Sequence, residues 1–142
     1  MTKVDFYVVS PGSRLDRFRL ACRVAEKARR SGHRVLIHVP STEEARHLDR
    51  LLWIMDDQGF IPHCRVGEGE PELNPIQIGE PALASEEHDV LVNLAGTVPE
   101  GFARFQRLLE CVDNDPEARA ASRERYRFYR DRGYPLDLHE IT

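Results

Sequence analysis

The chain has 142 residues and a mass of 16.3 kDa, its composition is 41% hydrophobic and 31% charged, and its formal net charge is −4. These values predict a single domain over residues 1–142 and exclude an intrinsically disordered chain. The negative net charge also disfavours a protein that holds DNA through an overall excess of basic residues.

The first half of the chain alternates strand and helix. The β-branched and aromatic run from Val4 to Val9 predicts a strand, and a period of 3.6 residues predicts a helix from Leu15 to Arg30. A second strand is predicted from Arg34 to Val39. The next helix begins with the capping-box pattern of Ser41 and Glu44.

The buried face of the first helix is predicted from the same period. We place its charged residues, Glu26 included, mostly outside a buried face made of Phe18, Ala21, Cys22, Ala25 and Ala28.

The second half of the chain contains further strands and one long helix. Strands are predicted from Pro75 to Gly79, from Asp89 to Leu94 and, with a helix as the alternative, from Gln106 to Asp113. Pro116 to about Arg132 is predicted to be a helix that ends at Gly133. Alternating strands and helices predict an α/β protein with parallel strand pairing.

The charges are unevenly distributed along this layout. The segment from Val66 to Ala103 holds eight acidic residues and no Lys or Arg, so the rest of the chain is net positive. Of the 20 basic residues, 18 are Arg, which suits bidentate recognition of carboxylate or phosphate. A GC-rich genome that encodes Arg in place of Lys would give the same count.

The chain shows no pattern of a nucleotide site or of a catalytic centre. The residues after the first strand, Ser10 to Arg14, match neither the dinucleotide-binding nor the P-loop pattern. None of the six histidines belongs to H-E-x-x-H, and G-x-S-x-G is absent. The sequence therefore predicts no catalytic residue, no metal site and no cofactor. An α/β enzyme acting on a nucleotide or phosphosugar remains the alternative.

Targeting and redox features are equally sparse. The N-terminus lacks an apolar leader, and no apolar run approaches the roughly 18 residues of a membrane helix. Cys22, Cys64 and Cys111 include no C-x-x-C pair. We expect a cytoplasmic, reduced protein with no membrane association.

The last helix combines arginine and aromatic residues. Five residues at spacings of i, i+4, i+7, i+8 and i+11 share one helix face: Arg119, Arg123, Tyr126, Arg127 and Arg130. Such a face suits an acidic ligand with an apolar end. The alternative is a solvated helix whose aromatic rings pack on the sheet under the arginine stems. The spacing alone does not distinguish the two.

Several short segments, in order along nearly the whole chain, resemble the chi subunit of bacterial DNA polymerase III holoenzyme. They include L-D-x-L-L-W, F-x-P-H and R-Y-R-x-Y-R patterns, and they are Phe6-Tyr7, Ala21–Ala28 with Gly32–Val35, Leu48–Trp53, Phe60–His63, Asp89–Leu94 and Arg125–Arg130 with Gly133-Tyr134.

The resemblance implies a single-domain, Rossmann-like three-layer α/β sandwich with a mostly parallel sheet and no nucleotide-binding motif. It also implies a non-catalytic subunit of the clamp-loader complex in DNA replication. Two partners are implied: the psi subunit, where one is present, and the acidic C-terminal tail of single-stranded DNA-binding protein. Contact with nucleic acid would then be indirect, and direct DNA binding at the basic helix is a further alternative.

The resemblance also implies site residues. The tail site would consist of Val112, Arg119, Arg123, Tyr126 and Arg127. The psi face would contain Trp53 and Phe60, with His47 at a position where a longer basic side chain is expected. The other interpretation of Trp53 and Phe60 is that they are core residues between helix and sheet.

Overall fold

A computed structural model describes residues 1–55 and 61–142. In chain order its strands and α-helices are β1 (Lys3–Val9), α1 (Arg17–Arg30), β2 (Val35–His38), α2 (Thr42–Met55), β3 (His63–Arg65), β4 (Ile76–Ile78), β5 (Val90–Asn93), β6 (Arg107–Val112), α3 (Pro116–Asp131) and β7 (Leu136–Ile141). Single-turn 3-10 helices occur at Pro71–Leu73, Pro81–Leu83 and Phe102–Arg104.

The seven strands form one sheet in the order β3-β4-β2-β5-β6-β1-β7, and every pairing is parallel. Parallel strands are joined by crossover connections outside the sheet. β1 and β2 are not neighbours, because β6 and β5 lie between them. The α/β class and the parallel sheet are confirmed.

The helices cover both faces of the sheet and so make three layers. On one face, α1 and α2 pack over alternate residues of the central strands, such as Val35, Ile37 and Val92. On the other face, Tyr129 of α3 belongs to the same cluster as Val4 and Phe6. Because side chains alternate along a strand, the continuous apolar runs fill both layers.

The predicted helices and the four predicted strands are present, and the ends that fall among the described residues lie within about two residues of the predicted ones. The predicted end of the second helix, Asp56 to Gly59, lies outside the described residues. The ambiguous segment is strand β6. Two strands, β3 and β7, were not predicted. β7 lies at the edge of the sheet and pairs in parallel with β1, with Val4 opposite Leu136 and Val9 opposite Ile141.

Side chains define the starts of the helices. Asp16 accepts a hydrogen bond from the Arg19 amide at 2.8 Å, so α1 begins after it. Ser41 Oγ accepts from the Glu44 amide at 3.2 Å, as the capping pattern predicts. Glu44 does not reach back to the backbone, because its carboxylate accepts from the Ser41 hydroxyl at 3.1 Å.

The predicted position of Glu26 is wrong, because the side chain is buried. Its carboxylate accepts hydrogen bonds from Arg29 Nε at 2.8 Å and Arg30 Nε at 3.1 Å. The hydrogen bond from Arg29 is the main reason that the pKa of Glu26 is lowered despite burial. Pairing within one helix therefore compensates for the loss of solvent.

Candidate functional site

Helix α3 is held on the sheet by a buried polar network. Glu110 on β6 has no exposed surface, and its Oε1 accepts from Arg125 Nε at 3.1 Å and from Asn93 Nδ2 at 2.9 Å. The Tyr129 hydroxyl donates to Oε2 at 2.6 Å. Burial raises the pKa of Glu110, while its cationic and hydrogen-bonding partners oppose that shift. The network fixes which side of α3 faces the solvent.

The helix itself is formed by strong local signals. Asp115 caps it by accepting from the Ala118 amide at 2.9 Å, and Pro116 occupies the first turn. At the other end Gly133 has a φ of 79°, a left-handed conformation that terminates the helix.

Four of the five predicted tail-site residues lie on α3. Arg123 and Arg127 are exposed, and Arg127 forms an exposed ion pair with Glu124 at 2.8 Å. Tyr126 is half-buried, with its ring edge-on to Phe6 at a centroid distance of 5.4 Å. The exposed arginines therefore flank a ring that is supported from below by the sheet.

Arg119 lies at the same face but is already engaged with the protein. Its Nη2 donates to the Val9 carbonyl at 2.8 Å and to Asn114 Oδ1 at 2.7 Å. These bonds tie the first turns of α3 to the end of β1. The side chain is half-buried, so Arg119 shapes the edge of this face while it supports the fold.

Val112 is the remaining predicted tail-site residue, and it is 1% exposed. It ends β6 and belongs to the same hydrophobic cluster as Phe6 and Tyr129. In this conformation Val112 supports the face from beneath and offers a partner almost no surface.

The other aromatic residues of the C-terminal segment pack against the body of the protein. Tyr129 is fully buried, and Phe102 lies 5.3 Å from it and 5.2 Å from Tyr134, ring centroid to ring centroid. The guanidinium of Arg132 lies 3.6 Å from the centre of the Phe128 ring. Most rings of this helix therefore pack inward, as the second interpretation of the spacing predicts, while Arg123 and Arg127 face outward. Binding of an acidic ligand at this face stays a prediction.

A second surface lies at the end of α2. Trp53 is 55% exposed, and the neighbouring Ile54 and Met55 are exposed as well. The indole ring contacts His63 of β3 edge-on, with centroids 5.0 Å apart. Interpretation of Trp53 as a core residue is therefore wrong for this structure, and its exposure is typical of an interaction surface.

His47 is exposed but lies on another side of α2. Its ring contacts Phe18 of α1 edge-on at 5.1 Å, whereas Trp53 contacts β3. Six residues of helix separate the two by about 120° around the axis. Phe60, the third residue predicted for this face, lies outside the described residues.

Metal and thiol chemistry have little support among the described residues. Within residues 1–55 and 61–142, no group of three or more His, Cys, Asp or Glu side chains is placed to hold a metal ion. Burial raises the pKa of the Cys22 thiol to about 12 and that of Cys111 well above its usual range. Neither thiol is a ready nucleophile at neutral pH. No helix in the described part of the chain is both long and apolar enough to cross a membrane.

Sequence reasoning missed the Glu110 network and a second buried acid. The signal for Glu110 was present, because one charged residue interrupts the apolar run of β6. Asp5 on β1 is also buried, and its carboxylate contacts Lys3, Arg107 and His139.

The fold and these surfaces define a parallel, Rossmann-like α/β protein that carries one arginine-rich helix face and one exposed apolar patch. The family model described as "DNA polymerase III chi subunit, HolC" matches residues 1–137. The chain therefore belongs to the DNA polymerase III chi subunit family. It is an accessory subunit in DNA replication, and membership of that polymerase complex implies protein partners.

Three curated relatives, each named DNA polymerase III subunit chi, agree with this assignment. The Pseudomonas aeruginosa protein is 38% identical over 141 residues, which cover 99% of this chain and 98% of the relative. The Haemophilus influenzae and Escherichia coli proteins are 31% and 30% identical; each match covers 96% of this chain, and 96% and 97% of the relatives.

A likeness to a solved structure concerns the fold alone. The crystal structure of T4 UvsW superposes with a TM-score of 0.67 at 10% identity, covering 99% of this chain and 41% of that chain.

Proposed function

We propose that this chain links the clamp-loader complex of DNA polymerase III to single-stranded DNA-binding protein by holding that protein's acidic C-terminal tail on α3. The observation that carries the proposal is the exposed pair Arg123 and Arg127 beside the half-buried ring of Tyr126. Guanidinium groups bind carboxylates, and the ring accepts an apolar side chain. On this proposal the chain has no catalytic site of its own and meets DNA only through its partner.

Charge supports the choice of an acidic protein tail over DNA. The chain carries a net charge of −4, and the exposed arginines of this face lie on one helix rather than along a groove. Binding of duplex or single-stranded DNA depends on many phosphate contacts along a basic groove. A short tail with a few carboxylates and an apolar end requires only a small basic face with one aromatic ring.

The test is fluorescence anisotropy with a labelled peptide of the tail from the same organism. We expect a dissociation constant in the roughly micromolar range that rises with salt, as exposed charge pairs are screened. Arg123→Ala and Tyr126→Ala should each weaken binding by about tenfold. Arg46→Ala is the matched control, because Arg46 is exposed on α2, which packs on the opposite face of the sheet from α3. Unchanged affinity in both α3 variants would contradict the site.

We further propose that the exposed apolar surface at the end of α2, which we call the α2 patch, binds the psi subunit. Support comes from the three exposed apolar side chains in the last turn of α2, those of Trp53, Ile54 and Met55. Exposed apolar clusters of this kind mark interaction sites, and Trp is enriched among residues that dominate binding energy. His47 and Phe60 remain predictions for this face.

The two proposed surfaces are separable by experiment. Co-purification with psi should be lost in Trp53→Ala, while the tail peptide still binds. Arg123→Ala should have the opposite effect. Loss of both activities in either single variant would indicate misfolding, which circular dichroism distinguishes from a local effect.

A further inference from the structure

One face of the sheet is left open beside α1. On the face shared by α1 and α2, α1 packs mainly over β2, β4, β5 and β6, and α2 over β3 and β4. Parallel sheets usually carry helices on both faces over their whole width. Among the described elements, no helix makes a comparable contact with β1 and β7 on this face.

Polar and aromatic residues occupy the uncovered strands. The strand register places Tyr7 opposite His139, and their rings stack with centroids 4.6 Å apart. Asp5 lies two pairs earlier, on the same face of β1 as Tyr7, and it accepts hydrogen bonds from Arg107 Nη2 and from His139 Nε2, both at 2.9 Å.

A groove of about 420 Å³ separates these strands from α1. We call it the α1 groove. Its floor is apolar and includes Leu20, Val24, Leu109 and Ile141, and its basic residues are Arg23, Lys27, His33 and Arg107. No Asp or Glu of the described chain lines it. An apolar floor with a basic rim is complementary to an acidic partner that carries apolar side chains.

The rim cations on α1 differ from their neighbours on the same helix. Arg29 and Arg30 both pair with Glu26, whereas the exposed Arg23 and Lys27 enter no ion pair within the part of the chain that the structure describes. Arg23 and Lys27 are four residues apart, so they lie on one side of the helix. Two unpaired cations beside an apolar floor are therefore available to a partner.

We propose that the α1 groove is a docking surface for an acidic, amphipathic helix of a protein partner. Such a helix lies across β1 and β7 and completes the helical layer on this face. Its apolar side chains pack on Val24 and Ile141, and its carboxylates pair with Arg23 and Lys27. This surface lies across the sheet from α3, so it is separate from the proposed tail site.

The floor of the groove favours a helix over a nucleic acid. Single-stranded DNA stacks its bases on open aromatic faces, and the ring of Tyr7 is stacked on His139. The remaining floor is aliphatic, which suits the apolar stripe of a helix. Of the other rim groups, Arg107 already pairs with Asp5, and His33 contacts Asp89.

The experiment uses the full chain and a designed, labelled helical peptide with Leu at i, i+3, i+4 and i+7 and Glu on the flanks. A length of about 16 residues, roughly 24 Å, matches the seven-residue strand β1 at roughly 23 Å. A scrambled peptide of the same composition controls for charge alone. We expect the helical peptide to bind at roughly micromolar concentration, and the scrambled peptide to bind at least about tenfold more weakly.

Charge-reversed variants test whether the helical peptide binds in the α1 groove. Arg23→Glu/Lys27→Glu should weaken binding of the helical peptide by about tenfold or more. Arg14→Glu/Arg46→Glu changes the net charge equally at exposed positions that do not line the groove, and should weaken it less than about twofold. Equal losses in the two double variants, or no binding of the helical peptide, would overturn the proposal.

Two further measurements separate this surface from the others. The Arg23→Glu/Lys27→Glu variant should bind the tail peptide as before, and Arg123→Ala should bind the helical peptide as before. If the Arg123→Ala variant no longer binds the helical peptide, that peptide binds on α3 and the groove proposal fails. This outcome does not depend on whether the tail-site proposal holds. A single-stranded oligothymidylate is the last competitor. If it binds more tightly than the helical peptide and displaces that peptide, the groove is a nucleic-acid site and the proposal is overturned.

Discussion

The hydroxyl of Tyr129 donates a 2.6 Å hydrogen bond to Oε2 of Glu110, a carboxylate with no exposed surface. Arg125 and Asn93 donate to its other oxygen. One buried side chain on β6 therefore accepts from two residues of α3, and these bonds hold the helix in one rotation about its axis. The outward position of Arg123 depends on that rotation, so the network positions the proposed tail site without contacting a partner.

Replacement of Glu110 tests this network. Glu110→Ala should reduce the free energy of unfolding by about 3–5 kcal/mol, because Arg125 is left as an unpaired buried charge. Tyr129→Phe removes one hydrogen bond to a charged acceptor and should cost about 1.5–3 kcal/mol. Urea denaturation measures both. Glu124→Ala, an exposed acid on the same helix, should change stability by less than about 0.5 kcal/mol. A comparably small loss in Glu110→Ala would contradict the role of the network.

Arg119 and Arg123 should separate stability from binding. Arg119 donates to the Val9 carbonyl and to Asn114, so Arg119→Ala should reduce the free energy of unfolding by about 1–3 kcal/mol. Arg123 is exposed, so Arg123→Ala should leave the melting temperature nearly unchanged while it weakens binding of the tail peptide. Equal melting temperatures for the two variants would show that the bonds of Arg119 contribute little.

More of the fold than of the candidate site could be predicted from the sequence. Periodicity and turn residues identified β1, α1, β2, α2, β5, β6 and α3, because their apolar patterns are long or continuous. β7 was not predicted because it directly follows Pro135 and has exposed residues on both faces, Asp137, Leu138 and Glu140, so its sequence shows no clear buried face. β3 has three residues, like β4, but its sequence His63-Cys64-Arg65 lacks the apolar alternation that Ile76 and Ile78 give to β4.

The site residues were less accessible to sequence reasoning because their roles depend on contacts between distant segments. Helical spacing placed Arg119 and Arg123 on one face. The contact of Arg119 with β1 shows that Arg119 supports the fold, whereas Arg123 is exposed to solvent. Trp53 could have been core or surface, since an aromatic residue at helical spacing fits both. Its exposure follows from where α2 ends relative to β3, a relation that no local pattern encodes.

Trp53 and Leu52 are adjacent residues with opposite expected effects. Trp53 is 55% exposed, so Trp53→Ala should cost far less stability than its size suggests, about 1 kcal/mol or less. Leu52 is 1% exposed within the core, and Leu52→Ala should cost about 2–5 kcal/mol. Denaturant titration of both variants measures the difference. A loss of several kcal/mol in Trp53→Ala would show that the contact of the indole ring with His63 contributes more to stability than its exposure indicates.

The buried carboxylate of Asp5 should make the protein sensitive to acid. Burial raises the pKa of Asp5, but hydrogen bonds from His139, Arg107 and Lys3 outweigh burial, so its pKa lies below the ordinary value of 3.8. Below about pH 4 the unfolded chain binds a proton that the folded state does not, and stability falls as the pH drops toward the folded pKa. The stabilisation is complete above that range.

Urea titrations between pH 2.5 and 7 test this dependence. Asp5→Asn should lower stability at pH 7 and flatten the acid limb of the curve. Asp131→Asn is the control, because Asp131 is exposed on α3 and forms an exposed ion pair with Arg130. An acid limb unchanged in Asp5→Asn would show that other carboxylates account for the acid sensitivity.

The three cysteines should differ in reactivity toward an aromatic disulfide reagent. Cys22 and Cys111 are buried, and with the pKa of Cys22 raised to about 12 only roughly one in ten thousand of its thiols is ionised at pH 8. Cys64 is half-buried, and burial together with Glu68 and Asp49 raises its pKa more modestly. We therefore expect one slow thiol equivalent to react in the native protein and three after unfolding. Cys64→Ser should abolish the native phase, whereas a native phase that persists in this variant would show that α1 or β6 opens locally to expose Cys22 or Cys111.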